Sequence, residues 1–575
     1  MPAPRRFALD VPRFRAARAL FVVIGLGALL RVANLIDLGD APFFTRPVID
    51  GQVYDRLARA ICAGNPPSGP FYQDPLYPYF LAASYAVFGH SFWAVYVLQL
   101  LLGLLLLFLV YDTTRLVFDP RAGVAAALLA ALYGPFIFYE SQIEKTGLAV
   151  FLVGLLLWSY SKALRHGHWV WPLTSGLALG LSVLTRANMT VFAPVLPLAL
   201  ALERRPTLGQ SAARRTGILA LIGILAILLP VVLRNSLVGH EFLLTTTQGG
   251  QNFFIGNSPY NLTGQYVAPP WVRPHPDFEQ QDLQEYADKA AGRHLSSAET
   301  SRFYFRLAFD WATKYPQRFF GLLGLKTLLY FNGYEIPDNQ DVYFFARYSW
   351  VQRLPLIGFG LVFGLALAGM VLLTRRLSRW SLVVFYFGYA ASVIAFFVFS
   401  RYRLPAVPAL LPFAGGMLVW LWDRLVAILR SELQSRRPIG QLLGGLVLVA
   451  GATGLTAYPI HKRTTFEAAQ CLVNLASSYW HEGDTVQAIA TFEEALKTRP
   501  LHGEALRNLG IIRYEQGRLD LALDYLKAAS RAEPTNAVTH YYLGKVYQGL
   551  QQLGPAHDEY RTAVKLAPGR VEYRF

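Results

Sequence analysis

Between residues 16 and 458 the sequence alternates apolar runs of near-bilayer length with short polar turns, and nothing else limits the fold as strongly. Crossing a bilayer takes roughly 17–25 apolar residues. Runs near 16–36, 92–113, 122–139, 146–164, 170–185, 189–203, 216–234, 354–374, 381–400, 405–423 and 439–458 meet or approach that length. A segment in lipid must satisfy its own backbone groups, so each run is expected to be a helix. The expected fold class is all-α, a polytopic membrane helix bundle of about eleven spans. Composition agrees: only 16% of residues are charged, against roughly 25% in average soluble domains. Two cysteines, Cys62 and Cys471, make no disulfide framework and have no metal-ligand spacing.

Charge orients the bundle. The formal net charge is +16, and residues 461–575 are close to neutral, so the basic excess lies among the apolar runs. There it marks cytoplasmic loops or anionic lipid rather than nucleic acid. Arg5, Arg6, Arg13, Arg15 and Arg18 precede the first run, which lacks a small-residue cleavage site and is expected to be retained. With the N-terminus cytoplasmic, inner loops collect Arg115, Arg121, Lys162, Arg165, Arg204, Arg205, Arg214 and Arg215. The stretch 317–332 is apolar enough to cross. Counting it would send Arg375, Arg376, Arg379 and the basic segment Arg424 to Arg437 outside, so it is expected to be interfacial or re-entrant. The C-terminal tail then lies outside the cytoplasm.

That tail repeats every 34 residues: Pro500, Pro534 and Pro568; Ala495, Ala529 and Ala563; Ala488, Ala522 and Ala556. Leu475-Ala476, Leu509-Gly510 and Leu543-Gly544 keep the same spacing, and Phe492, Leu526 and Tyr560 supply one large residue per unit. Small residues let paired helices touch, large ones fill the next layer, and proline closes the unit. The pattern resembles the tetratricopeptide repeat, three units across about 469–568. The expected domains are 1–460, a membrane domain, and 461–575, an α-helical repeat domain offering a surface to a peptide or protein partner, or acting as a spacer.

Polar groups concentrate in the outer loops. In the first of these, 37–91, the segment IDGQVYDRLARAI spaces Ile49, Val53, Leu57 and Ile61 four apart, one apolar stripe of a surface helix. Asp50 and Tyr54 belong to this helix, with Asp50 off the stripe; a solvated loop carboxylate fits the same data. QDPLYPYFLAASYAVFG follows, with prolines ahead of a short apolar segment. Glu140, Glu144 and Lys145 occupy a short outer turn, where a continuing helix would give both acids one face. They could serve a substrate or cation, or only cap the turn. Arg186, Arg401 and Arg403 stand at outer ends of spans, suited to phosphate or to lipid headgroups. The stretch 249–266 sets Asn252 and Asn257 among glycines without a nucleotide-binding fingerprint, and Glu335 lies in NGYEIPDN as a second site carboxylate or a turn residue. Histidines show no metal-ligand spacing.

An acidic residue on a helix after the first span, followed by a Pro-x-x-Pro-like segment, resembles the GT-C glycosyltransferases, in the protein O-mannosyltransferase and aminoarabinose-transferase branch. The stretches YESQIEKTGLAVFL (139–152), GGQNFFIGNSPYNLTGQY (249–266), FNGYEIPDN (331–339) and SRYRLPAVP (400–408) resemble its bacterial subset with tetratricopeptide tails. The resemblance implies a GT-C bundle with outer-loop surface helices, in a bacterial-type inner membrane. It implies that Asp50 is the catalytic residue, with Asp55 and Asp74 in reserve. The family often places Glu after this Asp; here the residue is Gly51.

The implied chemistry suits these residue types. A polyprenyl-phosphate sugar keeps its lipid in the bilayer and its phosphate at the interface. Transfer needs a base for the acceptor hydroxyl and positive charge for the departing phosphate. Asp50 is expected as base of an inverting displacement, and Arg401, Arg403, Lys145 and Arg186 as donor-phosphate ligands. Glu140, Glu144, Tyr54, Asn252, Asn257 and Glu335 are expected as supporting residues. A divalent cation (Mg or Mn) stays open, since the first loop has no Asp-x-Asp. The acceptor is a protein, glycan or lipid on the non-cytoplasmic face. A lipid-linked-glycan transporter or a non-catalytic assembly scaffold is the alternative. The transporter is disfavoured because polar groups sit in outer loops rather than mid-span and the halves show no similarity; the scaffold needs only the repeats and would leave Asp50 free to vary.

Overall fold

The computed structural model describes residues 11–273, 276–374, 377–429, 437–460 and 465–567. Arg5, Arg6, Arg375, Arg376, Pro568 and residues 430–436 of the basic segment lie outside the described residues. Among those described, the structure is helical, with one isolated bridge between Tyr133 and Ile357 and no strand. Among the described residues, six helices are long and apolar enough to cross a bilayer: Arg15–Leu38, Phe92–Val117, Thr146–Arg165, Gln210–Leu237, Ser400–Leu429 and Pro438–Thr456. Shorter apolar helices are Leu76–Phe88, Pro120–Ala131, Val170–Thr185, Phe359–Leu373 and Arg379–Ile394. Large apolar side chains stay exposed along the long helices, among them Phe21, Leu29, Ile222, Leu229 and Val447. Such surfaces are stable in lipid and not in water. The chain is a membrane helix bundle.

Several expected spans are interrupted. The run 122–139 is two helices, Pro120–Ala131 and Gly134–Glu140, because Pro135 lacks the N–H that a continuous helix needs. The freed backbone groups pair sideways: Gly134 N donates to Ile357 O, and Ile357 N to Leu132 O, each at 3.0 Å. The expected span 354–374 is accordingly helical only from Phe359. The run 189–203 begins as a 3-10 turn, Ala187–Val191, before the helix Phe192–Leu208. The run 381–400 leaves its helix at Ile394, and a new helical turn starts at Ser400. The stretch 317–332 forms the helix Pro316–Tyr330, with Phe320 and Leu328 exposed and Lys326 buried against Asn257.

Backbone contact ties the bundle where glycine allows it. A Cβ on Gly176 would lie 2.0 Å from the Ala220 carbonyl oxygen, and one on Gly223 would lie 2.5 Å from that of Leu173. Helices Val170–Thr185 and Gln210–Leu237 therefore pack main chain to main chain, as small residues permit in lipid. The cations expected on the inner side meet at one end of the bundle. Arg115 and Lys162 share Asp112, each at 2.8 Å, Arg204 donates to Leu164 O at 2.9 Å, and Arg379 donates to Val117 O at 3.3 Å.

The tail forms three helix pairs from Thr465–His481 to Leu553–Leu566. Ala488, Phe492, Ala495, Ala522, Leu526 and Ala529 are all fully buried, which is why these positions recur. Leu472, Leu475 and Ala476 of the first repeat helix belong to the same continuous apolar core as Phe43, Phe344 and Phe345 of the outer loops. The repeats are packed on the membrane region, not only tethered to it.

Candidate active site

Asp50 opens the helix Asp50–Cys62, directly after Ile49, whose φ of 51° lies in the left-handed region. A β-branched residue is costly there, so surrounding contacts hold it. Gly51 shows why this helix can approach its neighbour: a Cβ would lie 2.7 Å from the Ile143 carbonyl oxygen. Gly51 thus lets Asp50 lie beside the 140–145 turn.

Arg401 is the hub. Its Nη2 donates to Asp50 Oδ2 at 2.9 Å, its Nη1 to Glu144 Oε1 at 3.1 Å, and its Nε pairs with Asp338 Oδ2 at 2.6 Å. The Arg401 side chain is 7% exposed, while Asp50 and Asp338 keep 17% and 16%, so the acids face an opening that the guanidinium does not. A planar guanidinium, with five donors held in a rigid fork, bridges the three carboxylates from fixed directions. Arg186 Nη2 donates to the Arg401 carbonyl oxygen at 3.1 Å and to Thr146 Oγ1 at 2.9 Å, and its guanidinium lies over the Tyr402 ring. Lys145 Nζ pairs with Asp74 Oδ2 at 2.6 Å, and Tyr54 is buried with its ring 6.0 Å from that ammonium.

Burial pushes the Asp50 carboxyl up. Arg401 and then Lys145, with hydrogen bonding from Arg401 and Asn339, outweigh it and hold the group below its ordinary value. Burial pushes Asp338 up to about 6; Arg401 pulls the other way, and the Asp50 and Glu144 charges add to the rise. Two carboxyls on one guanidinium are thus driven apart, so that below about pH 6 Asp338 takes up a proton while Asp50 is still ionised.

The structure separates other expected residues from this cluster. Arg403 is buried and donates to the carbonyl oxygens of Tyr330, Asn332 and Tyr334, pairs with Glu335 at 2.9 Å, and lies over the Phe359 ring. Arg403 and Glu335 therefore join two loops. Glu140 pairs with Arg31 Nε at 2.6 Å; its helix ends at that residue, so Glu140 and Glu144 do not share a face. Asn257 bonds the Phe253 and Ala395 carbonyls and accepts from Lys326, a structural tie. Asn252 sits half-buried on the helix Gly249–Gly256. Asp55 binds Tyr85, His90 and Arg59. Sequence reasoning missed Asp338 and Asn339, although FNGYEIPDN contains both.

Residues 68–233 match the family described as Dolichyl-phosphate-mannose-protein mannosyltransferase, and residues 473–537 match Tetratricopeptide repeat. No curated protein matches. Among solved structures, the archaeal oligosaccharyltransferase AglB from Archaeoglobus fulgidus, in complex with an inhibitory peptide and a dolichol-phosphate, is 15% identical, with 84% of this chain and 60% of that chain covered at a TM-score of 0.44. The same organism's oligosaccharyltransferase in complex with Zn and sulfate is 17% identical, covering 82% and 56%, at 0.42. ArnT from Cupriavidus metallidurans bound to undecaprenyl phosphate is 17% identical, covering 94% and 79%, at 0.39. The chain thus spans about three fifths of the length of the oligosaccharyltransferases it matches. One polypeptide thus joins a membrane helix bundle, similar over residues 68–233 to the dolichyl-phosphate-mannose-protein mannosyltransferase family, to a helical tail similar over residues 473–537 to the tetratricopeptide repeat.

Proposed function

We propose that the chain is a membrane glycosyltransferase that moves a sugar from a polyprenyl-phosphate carrier to an acceptor on the non-cytoplasmic face of a bacterial-type inner membrane. Residues 1–460 carry the chemistry and residues 461–575 bring a protein acceptor or partner. The observation that carries this reading is the contact of Asp50 with Arg401 at 2.9 Å, across 351 positions of sequence. Asp50 Oδ takes the proton of the acceptor hydroxyl as its oxygen forms a bond to the anomeric carbon. The bond from that carbon to the phosphate oxygen breaks on the opposite face, and polyprenyl phosphate leaves with the electron pair, so configuration inverts. Arg401, with Lys145 and Arg186 beside it, receives the phosphate charge. A phosphate that replaces Asp50 on Arg401 Nη2 also frees the carboxylate for the acceptor, which couples donor binding to release of the base. The lowered Asp50 carboxyl favours the ionised form this role needs.

A divalent cation such as Mg or Mn finds no ready seat. Among the described residues no three His, Cys, Asp or Glu side chains are arranged to hold an ion, and the carboxylates that converge are bridged by Arg401. No step is assigned to a metal. The test is Asp50→Asn, assayed on purified protein with labelled polyprenyl-phosphate sugars. Transfer is expected to fall by at least about 10²-fold with an unchanged unfolding profile; full activity in the variant would remove Asp50 from the mechanism.

A further inference from the structure

The first repeat helix, Thr465–His481, touches both loops that hold the cluster. Asn474 Nδ2 donates to the Asn339 carbonyl oxygen at 3.3 Å, one residue beyond Asp338, the partner of Arg401 Nε. Near the other end of this helix, the Arg46 guanidinium lies 4.3 Å from the Tyr479 ring centroid. It pairs with Glu482 at 3.2 Å and with Asp484 at 3.8 Å. Arg46 precedes Asp50 by four residues, and the intervening Ile49 is in the left-handed region. Asn474 is itself oriented: Gln470 Nε2 donates to its Oδ1 and to Glu504 Oε2 of the second repeat, each at 3.0 Å.

From these contacts we infer that the first repeat completes the active site, with Asn474 and the grip on Arg46 positioning the Asp338–Asn339 loop and the start of the Asp50 helix against Arg401. Asn474 and Arg46 are positioning residues; they act through Asn339 and Asp50. The inference rests on the reading of Asp50 and Arg401 as the reacting pair. A repeat serving only as a spacer has no reason to engage the two loops that carry these carboxylates. Residues 331–341 have no regular structure, so the backbone of Asn339 depends on such outside bonds. The Asn339 amide nitrogen is buried and has no well-aligned partner, and the amide lies near enough to Asp50 to bear on its charge. The other titratable groups tied to Asp50 are Arg401, Lys145, Asp338, Glu279, Tyr54 and Tyr402, with Glu144 beside it on Arg401. Of these, only Asp338 is carried by the loop that Asn474 holds.

Release of this loop moves both Asp338, which repels the Asp50 carboxylate and shares Arg401 with it, and the Asn339 amide, so the Asp50 titration shifts. In full-length Asn474→Ala, the acid limb of transfer against pH is expected to shift by about 0.5–1 unit, with kcat falling and the donor KM within about twofold. Asn474→Asp keeps the shape but cannot donate to the Asn339 carbonyl, and it must reproduce the shift; it also stands if the alanine variant fails to fold. Infrared titration of the Asp50 carboxylate, taken as a difference against Asp50→Asn, reads the same shift without activity. Wild-type protein inactive on polyprenyl-phosphate sugars overturns the functional reading, while the infrared shift still judges the coupling. Asn474 variants whose Asp50 titrates as in wild type overturn the inference, even if they are less stable.

Discussion

Arg401 and Arg403 differ by two positions and do different work. Residues i and i+2 on one helical turn point away from each other, so Arg401 meets Asp50 while Arg403 turns to Glu335 and backbone carbonyls. Both fit phosphate by type, and only the turn's orientation separates them. Asp338 carries a prediction of its own. Its folded carboxyl is raised to about 6 from an ordinary 3.8, so the folded chain keeps a proton that the unfolded chain has lost between those values. Stability contributed by this group is therefore largest at low pH, falls as pH rises through that window, and levels above about 6, a total of about 3 kcal/mol at most. Asp338→Asn removes the slope. The unfolding midpoint of the variant relative to wild type should climb with pH up to about 6 and then stay constant; a difference that is flat across the window sinks the assignment.

At the scale of elements, the apolar period was readable wherever a helix runs unbroken, as in Phe92–Val117 and Gln210–Leu237. It was misleading where a proline or a sideways backbone bond divides a run, as at Tyr133 and Ile357, because hydropathy does not register which carbonyl an N–H finds. The acids 140 and 144 failed as a helical pair because their helix stops at Glu140. The contact of Val170–Thr185 with Gln210–Leu237 is a place where one methyl group matters. Gly176→Val would drive side-chain carbon into the Ala220 carbonyl, and overpacking of this kind costs about 1–3 kcal/mol or more. Thermal unfolding of the purified variant in detergent should show a lowered midpoint; an unchanged midpoint would mean that the two helices do not meet backbone to backbone.

Over the whole molecule, the charged inner end and the Asp50 cluster occupy different ends of the bundle, which sets the proposed sidedness. Cys62 and Cys471 report on it without mutation, since Cys62 is exposed at the end of the Asp50 helix and Cys471 is buried in the first repeat. In sealed spheroplasts a membrane-impermeant maleimide should modify the protein at Cys62 and spare Cys471; modification only after the membrane is opened reverses the topology. Sequence alone determined the helical class, the repeat region and the residue types at the site, because periodicity and spacing are local properties that each segment carries with it. Asp50, Glu144, Lys145, Arg186 and Arg401 were legible as candidates for that reason. Which of them meet was decided by tertiary structure. The 2.9 Å approach of Asp50 to Arg401, the entry of Asp338 and the seating of the first repeat on both loops depend on packing between distant segments. Packing of that kind turns on side-chain direction and backbone pairing, and neither is written in a one-dimensional pattern.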